Sequence, residues 1–162
     1  MEKVRILFVC HGNICRSPMA QFVLKKLADD KGLSDYIKID SAATESYNEM
    51  VHAGIYYATK EILKAKHIPF EEHYSRRIRT EDYTHSDYIL AMDQSNIEDI
   101  QSILGKDNEH KIYRLLDFTD TPRNLKDPWY TGNFDECYQD VLYGCEAFLE
   151  YLIQTHNLAG KN

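Results

Sequence analysis

The sequence predicts an α/β fold in which helices cover both faces of a parallel β-sheet. Short apolar segments alternate along the chain with amphipathic segments, as strands and helices do in such folds. The chain has 162 residues, 43% of them hydrophobic, so it can bury a core without disulfides or metals. Because no repeat, low-complexity tract or linker divides the chain, we expect a single domain over residues 1–162.

In the first half of the chain, apolar runs and helical spacing predict two strands and two helices. The strands fall at residues 4–9 and 36–39, and the helices at residues 19–27 and 52–66. The inward face of the second helix is expected to carry Ile55, Ala58, Ile62 and Leu63. Ser17 is expected to cap the first helix, with Pro18 in its first turn, where a missing N–H costs nothing.

The second half continues this alternation. An extended piece is predicted at residues 75–78, strands at 88–92 and 112–116, and a helix at 96–104 that Gly105 ends. A long helix follows, opened by Asn133 as its cap with Glu136 in the third position. Its apolar residues repeat at steps of four and three: Phe134, Tyr138, Val141, Cys145, Phe148 and Leu152. Ligands are expected at the carboxyl ends of the parallel strands.

Composition narrows the partners and the compartment. The net charge of −7 argues against nucleic acid or a membrane surface as a partner. There is no leader-like segment and no run of the roughly 20 apolar residues that span a membrane, so we expect a cytoplasmic protein. Its four cysteines, at 10, 15, 137 and 145, are expected to be reduced. No metal or cofactor is expected, because the seven histidines form no apparent ligand cluster.

The loop between the first strand and the first helix has the residue types of an oxyanion site. Successive N–H groups at a helix N-terminus favour an anion, and Gly12 and Asn13 tolerate the positive φ that a tightly wrapped backbone needs. Cys10, facing those donors, should exist largely as a nucleophilic thiolate. Arg16 offers a planar fork that matches two phosphoryl oxygens. A nucleophile and an anion clamp are therefore predicted in one site.

Residues 10–18, which read Cys-His-Gly-Asn-Ile-Cys-Arg-Ser-Pro, resemble the signature loop of the low-molecular-weight protein tyrosine phosphatases. The resemblance continues at Asp40-Ser41-Ala42, at residues 88–96 and at residues 127–130, in the family's order. It implies a phosphotyrosine phosphatase I-like fold with four parallel strands in the order 2-1-3-4. It also implies hydrolysis of phosphotyrosine in proteins through a phosphocysteine, with Cys10 as nucleophile and Arg16 as phosphate clamp, and no cofactor.

The chemistry also needs a proton donor for the leaving oxygen. The longest irregular stretch, residues 117–130, contains three candidates, Asp117, Asp120 and Asp127, and local chemistry alone does not choose among them. Pro128 biases Asp127 toward an extended backbone. The Asp-Pro-aromatic setting of Asp127 matches the family's general acid, so the resemblance implies that Asp127 has this role.

The resemblance implies further site residues. The N–H groups that would hold phosphate, or a similar oxyanion, belong to His11, Gly12, Asn13, Ile14, Cys15 and Arg16. The network that would brace the loop consists of Asn13, Ser17, Ser41 and His73. The aromatic rim of the substrate site would consist of Tyr47, Trp129 and Tyr130. Cys15 would form a reversible disulfide with Cys10 under peroxide. Trp129 replaces a residue that is commonly tyrosine in the family, and residues 48–54 lack the usual proline-rich segment.

Three other functions remain open from the sequence. Protein-arginine phosphatases share the loop but usually carry threonine where this chain has Ile14, and the apolar side chain favours phosphotyrosine. Arsenate reductases on this fold need two further cysteines after the third strand, and residues 93–108 contain none. A non-catalytic phosphate-binding module would need neither Asp127 nor a nucleophilic sulfur.

Overall fold

The computed structural model describes residues 2–159; residue 1 and residues 160–162 of the predicted domain span lie outside the described residues. At its centre is a four-stranded parallel sheet made of β1 (Val4–Cys10), β2 (Ile37–Ala43), β3 (Tyr88–Ala91) and β4 (Ile112–Arg114). The strand order is β2-β1-β3-β4, and β1 pairs in parallel with both β2 and β3. The predicted α/β class and the order 2-1-3-4 are confirmed.

Seven helices are present in residues 2–159. They are α1 (Arg16–Asp30), α2 (Tyr47–Met50), α3 (Tyr57–Ala65), α4 (Thr80–His85), α5 (Gln94–Leu104), α6 (Pro128–Thr131) and α7 (Phe134–His156). Two 3₁₀ turns, Ser34–Tyr36 and Leu115–Phe118, complete the regular structure. Of these elements, α2, α4 and α6 are too short for a hydrophobic period to have predicted them.

The strand β1 is buried on both faces, which explains why its sequence is a continuous apolar run. Ile6 and Phe8 belong to a large core cluster that also contains buried residues of α1 and α7. Leu7 and Val9 point the other way, into a smaller cluster that includes Ile100 of α5. Helices therefore cover both faces of the sheet, as predicted, and β1 contributes side chains to both core clusters.

The long C-terminal helix matches its prediction closely. The side chain of Asn133 accepts a hydrogen bond from the Glu136 N–H at 2.9 Å, so the predicted cap is confirmed. Of its predicted stripe, Tyr138, Val141, Cys145, Phe148 and Leu152 are buried, whereas Phe134 is partly buried. The stripe packs against α1 and the second 3₁₀ turn.

Two helix starts were predicted wrongly. The helix α1 begins at Arg16, so Ser17 is its second residue and its hydroxyl contacts Cys10 Sγ instead of capping the helix. The helix α3 begins at Tyr57 rather than at residue 52, because His52 has a positive φ of 56° that no helix accommodates. Ile55 is still buried, although it precedes the helix.

The remaining boundaries differ less. The extended piece at 75–78 is confirmed by a bridge between Arg77 and Ala43 and by the Ile78 N–H that bonds to the Ala43 carbonyl. The strand β4 ends at Arg114, where the chain turns into 3₁₀ geometry instead of reaching residue 116. Gly105 ends α5 at a positive φ of 87°, as predicted.

Candidate active site

The loop that joins β1 to α1 forms the floor of a cavity of about 400 Å³ at the carboxyl end of the sheet. The lining residues are Cys10, His11, Gly12, Asn13, Ile14, Cys15, Arg16, Tyr47, Asn48, Asp127, Trp129 and Tyr130. Every residue predicted as nucleophile, clamp, general acid, N–H donor or rim is among them. The predicted bracing residues Ser17, Ser41 and His73 lie behind the loop, hydrogen-bonded to Asn13 or to each other.

Carbonyls of the loop backbone are hydrogen-bonded to other segments of the protein. The Gly12 carbonyl accepts hydrogen bonds from Asn48 Nδ2 at 3.1 Å and Ser75 Oγ at 2.9 Å, and the Ile14 carbonyl accepts one from the Tyr56 N–H at 2.9 Å. Among the described residues, no acceptor pairs with the N–H groups of residues 12, 14, 15 and 16. Converging N–H groups without protein partners are suited to an oxyanion.

Asn13 fixes the shape of this loop from inside the protein. It has a positive φ of 55° and is fully buried. Its Nδ2 donates to Ser17 Oγ at 2.7 Å and Ser41 Oγ at 3.0 Å, while its Oδ1 accepts from His73 Nε2 at 3.1 Å. One side chain thus joins the loop to α1, to β2 and to the segment that follows α3.

The Cys10 sulfur lies at the end of β1 and receives hydrogen bonds from this network. The Asn13 N–H donates to Cys10 Sγ at 3.3 Å, and Ser17 Oγ lies 3.0 Å from the same sulfur. Because Ser17 Oγ already accepts a hydrogen bond from Asn13 Nδ2, its own proton is free to point at the sulfur. Two donors are therefore directed at Cys10 Sγ.

His73 and Ser41 complete the network behind the loop. Since the Asn13 oxygen can only accept, His73 Nε2 must carry the proton of their hydrogen bond. Burial lowers the pKa of His73, which favours this neutral form. The Ser41 hydroxyl donates to Gln21 Oε1 at 2.5 Å, so its orientation toward Asn13 is also fixed.

Arg16 is buried, with 3% of its side chain exposed, at the first position of α1. Its Nη1 donates to Asp93 Oδ2 at 2.8 Å and to the Leu125 carbonyl at 2.7 Å. These two bonds use both hydrogens of Nη1 and leave the edge formed by Nε and Nη2 for another anion. Burial alone would lower the pKa of Arg16, but Cys10, Asp127 and Asp93 raise it overall, so the guanidinium stays charged.

Asp127, which precedes α6, also lines the cavity. Its Oδ1 accepts the Trp129 N–H at 3.0 Å as the cap of α6, with Pro128 in the first helical position. Its Oδ2 lies 3.5 Å from Arg16 Nη2. The two other candidate acids lie elsewhere: Asp117 pairs with Arg114 at 2.8 Å, and neither Asp117 nor Asp120 lines the cavity.

Three exposed aromatic side chains stand around the mouth. Tyr47, Trp129 and Tyr130 are 65%, 56% and 84% exposed. Large apolar surfaces left in water beside a polar floor are typical of a site that receives a flat ring.

Sequence reasoning missed several residues that support the site. Asp93 and the Leu125 carbonyl hold Arg16, while Asn48 and Ser75 hold the Gly12 carbonyl and Gln21 orients Ser41. Only Asp93 had a local signal, since Asp93 and Asn96 form a capping box at the start of α5, directly after a strand. The others come from segments far apart in the sequence.

The other three cysteines are buried thiols. Burial, followed by the charge of Cys10, raises the pKa of Cys15 to about 12. Burial also raises the pKa of Cys137 and Cys145, which lie in the core against α1. Within residues 2–159, no group of three or more potential metal-ligating side chains is found, and no helix is long and apolar enough to cross a membrane.

Comparisons with known proteins agree with this geometry. The sequence model of the family described as low molecular weight phosphotyrosine protein phosphatase matches residues 5–158. The chain is 41% identical over 150 residues to the low molecular weight protein-tyrosine-phosphatase YfkJ of Bacillus subtilis, covering 90% of this chain and 94% of that protein. The crystal structure of YfkJ superposes with a TM-score of 0.89 over 98% of this chain and 99% of that chain.

Two further relatives are similar to this chain over most of its length. PtpA of Staphylococcus aureus, a low molecular weight protein-tyrosine-phosphatase, is 38% identical over 159 residues, 96% of this chain and 97% of that protein. The crystal structure of the drosophila arginine phosphatase is 31% identical, with a TM-score of 0.79, and covers 90% of this chain and 96% of that chain. This chain belongs to the low molecular weight phosphotyrosine protein phosphatase family.

Proposed function

We propose that this protein is a protein-tyrosine phosphatase that hydrolyses phosphotyrosine through a phosphocysteine intermediate. One observation carries the assignment: Cys10, Arg16 and Asp127 line one cavity, and the N–H groups of residues 12, 14, 15 and 16 in the loop that forms its floor have no protein partner among the described residues. Its partners are phosphotyrosine-containing proteins, and inorganic phosphate is the product that the loop releases. The described residues form one sheet with its two cores, which supports a single catalytic domain.

In the first step, the Cys10 thiolate attacks phosphorus in line with the tyrosine oxygen. The S–P bond forms as the P–O bond breaks, and its electron pair leaves with the phenolic oxygen. Arg16 and the N–H groups of residues 12, 14, 15 and 16 hold the three equatorial oxygens, over which charge is spread in the transition state. Asp127 donates its proton to the leaving oxygen, a contribution typically worth about 10²–10⁴-fold in rate.

In the second step, water hydrolyses the phosphocysteine. Asp127, now a carboxylate, takes a proton from the water as its oxygen bonds to phosphorus and the S–P bond breaks. The electron pair of that bond returns to Cys10 as thiolate. The donors that Asn13 and Ser17 direct at the sulfur make Cys10 a better leaving group here. Asn13, Ser17, Ser41 and His73 therefore act by positioning the loop and its thiolate.

Phosphotyrosine is the substrate that the walls of the cavity favour. The rings of Tyr47, Trp129 and Tyr130 suit an aryl ester, and Ile14 adds an apolar surface to the floor. The second candidate is phosphoarginine, because one structural relative is titled an arginine phosphatase. Arsenate reduction is disfavoured by the absence of cysteine from residues 93–108.

Two measurements test this function. Side-by-side turnover of phosphotyrosine and phosphoarginine peptides, with arsenate as a third substrate, should favour phosphotyrosine. Cys10→Ser should abolish hydrolysis of aryl phosphates yet retain binding of inorganic phosphate. Appreciable turnover by Cys10→Ser would contradict the role of Cys10 as nucleophile. Binding of inorganic phosphate without any turnover by the unaltered protein would instead indicate a non-catalytic phosphate-binding module.

The presence of Cys10 and Cys15 in one cavity supports reversible redox control in a reducing compartment such as the cytoplasm. Both thiols line the cavity and all four cysteines are free. Peroxide converts a thiolate to sulfenic acid, and a neighbouring thiol displaces water to form a disulfide that a dithiol reduces. We expect peroxide to inactivate the enzyme and a dithiol to restore it more fully than in Cys15→Ser. Identical recovery of the two proteins would remove this protective role.

A further inference from the structure

A second cavity is lined in part by Trp129, which also lines the catalytic cavity. Its volume is about 510 Å³, and its walls come from the start of α3, from α6 and from the start of α7. The two cavities therefore share one side chain. The predicted mechanism makes no use of this second cavity.

Four aromatic side chains form the walls of the second cavity. The ring of Tyr56 packs against Phe134 with a centroid distance of 5.7 Å and an interplanar angle of 20°. The rings of Tyr57 and Trp129 are inclined to Tyr56 by 44° and 66°, at 4.7 Å and 5.0 Å. Because these four rings line one cavity, they form an aromatic cage and not a flat apolar patch. Tyr57 and Trp129 remain more than half exposed.

The charge of the cage identifies the class of ligand. Glu61 is the only charged side chain among the described residues that line it, and none of the described cations forms an ion pair with Glu61. The negative faces of aromatic rings attract a cation, and tryptophan does so most strongly. An aromatic cage with one free carboxylate is therefore complementary to an ammonium or guanidinium group.

We propose that this second cavity, with walls of Tyr56, Tyr57, Trp129 and Phe134 and with Glu61 as its charged residue, binds a lysine or arginine side chain of the phosphotyrosine substrate. This assignment rests on the proposed phosphatase function. An extended peptide advances about 3.3–3.6 Å per residue, so a chain whose phosphotyrosine occupies the first cavity passes Trp129 within a few residues. The basic side chain then lies close to the phosphotyrosine in the sequence of the substrate.

The inference predicts a positional preference among phosphotyrosine peptides. A single lysine is moved through the three positions on each side of phosphotyrosine, and kcat/KM is compared with the peptide that carries acetyl-lysine at the same position. One or two positions should show a lysine advantage of about threefold to thirtyfold. Glu61→Gln and Tyr57→Leu should each reduce this ratio, and Glu61→Lys should shift the preference toward a glutamate peptide.

The control variant is Glu98→Gln, which alters an exposed glutamate of α5 that lines neither cavity and should keep the lysine advantage. A lysine ratio near one at every position, or a ratio that Glu61→Gln leaves unchanged, would overturn the inference. Turnover of free phosphotyrosine by the unaltered protein distinguishes failure of the proposed function from failure of the cage assignment. If that turnover is absent, the proposed function fails; if it is present without a lysine preference, only the cage assignment fails.

Discussion

Arg16 shows how one buried side chain links the loop after β1 to two other segments at the site. Its guanidinium bonds to Asp93 after β3 and to the Leu125 carbonyl, and it faces Asp127 at the start of α6. A charge with only 3% of its side chain exposed would be costly without these partners. The same contacts leave the edge formed by Nε and Nη2 of the guanidinium for an anion in the cavity. The contacts that stabilise the buried charge therefore also position Arg16 for phosphate.

At the residue scale, the role of Asp127 can be separated from that of Cys10. We expect Asp127→Ala to slow hydrolysis of phosphotyrosine by about 10²–10⁴-fold, because the phenolate then leaves without a proton. Aryl phosphates with very acidic leaving groups should be slowed much less. Steady-state kcat across a series of leaving groups provides the measurement.

Asp120→Ala is the matched control, since Asp120 lies in the same irregular stretch but outside the cavity, and it should behave as the unaltered protein. Equal slowing of all esters by Asp127→Ala would assign the proton donor to another residue.

At the scale of elements, the contact between α7 and the 3₁₀ turn Leu115–Phe118 fixes the C-terminal helix over the core. Gly144 faces this turn at a point where a Cβ would be too close to its neighbours. A Cβ at position 144 would lie 2.6 Å from Leu115 Cγ and 3.1 Å from Leu116 Cδ2. The glycine therefore permits close approach of the helix to the turn, at a cost in helix propensity of about 1 kcal/mol relative to alanine.

Gly144→Ala should consequently destabilise the fold, by about 1–3 kcal/mol, although alanine is the better helix former. The free energy of unfolding in urea is the quantity to measure. Glu146→Ala, an exposed change two residues along the same helix, should alter it by no more than about 0.5 kcal/mol. A Gly144→Ala protein that is more stable than the parent would show that the helix can move away from the turn.

At the scale of the whole molecule, two partly buried titrating groups, His73 and Asp93, make stability depend on pH in separate ranges. Burial lowers the pKa of His73 below its usual value of 6.5, so the unfolded chain binds a proton there more readily than the folded protein does. For Asp93, burial opposes ionisation, but hydrogen bonds from Ser95 and Arg16 lower its pKa overall, below 3.8. On acidification, the free energy of unfolding therefore falls first because of His73. It falls because of Asp93 only in stronger acid.

We therefore expect the free energy of unfolding to decline as the pH falls below about 6.5, and to decline further below about 4. His73→Gln should flatten the first decline and leave the second. Urea unfolding at pH 7.5, 5.5 and 3.5 provides the test. His85→Gln, at an exposed histidine of α4, is the control and should retain both declines. An unaltered first decline in His73→Gln would assign it to other groups.

The parts of the site that were predictable lie within short stretches of sequence. Residues 10–16 are contiguous, so a strand, a turn and a helix start already implied an anion-binding loop around Cys10. Helix starts were less predictable, because the Ser17 hydroxyl bonds to Cys10 Sγ, a contact that replaces the local cap expected from Ser-Pro. Asp127 was one of three candidates until the family resemblance, and then the cavity, distinguished it from Asp117 and Asp120.

The sequence by itself determined the alternation of strands and helices, the phosphate loop and the nucleophile, because each depends on residues within a few positions of one another. The tertiary structure alone decided that Asp93 would anchor Arg16 across 77 residues, and that His73 would reach Asn13 across 60. It also placed Glu61 of α3 beside Trp129 of α6. Such contacts depend on how the strands and helices pack together, and packing brings together side chains whose spacing in the chain carries no local signal.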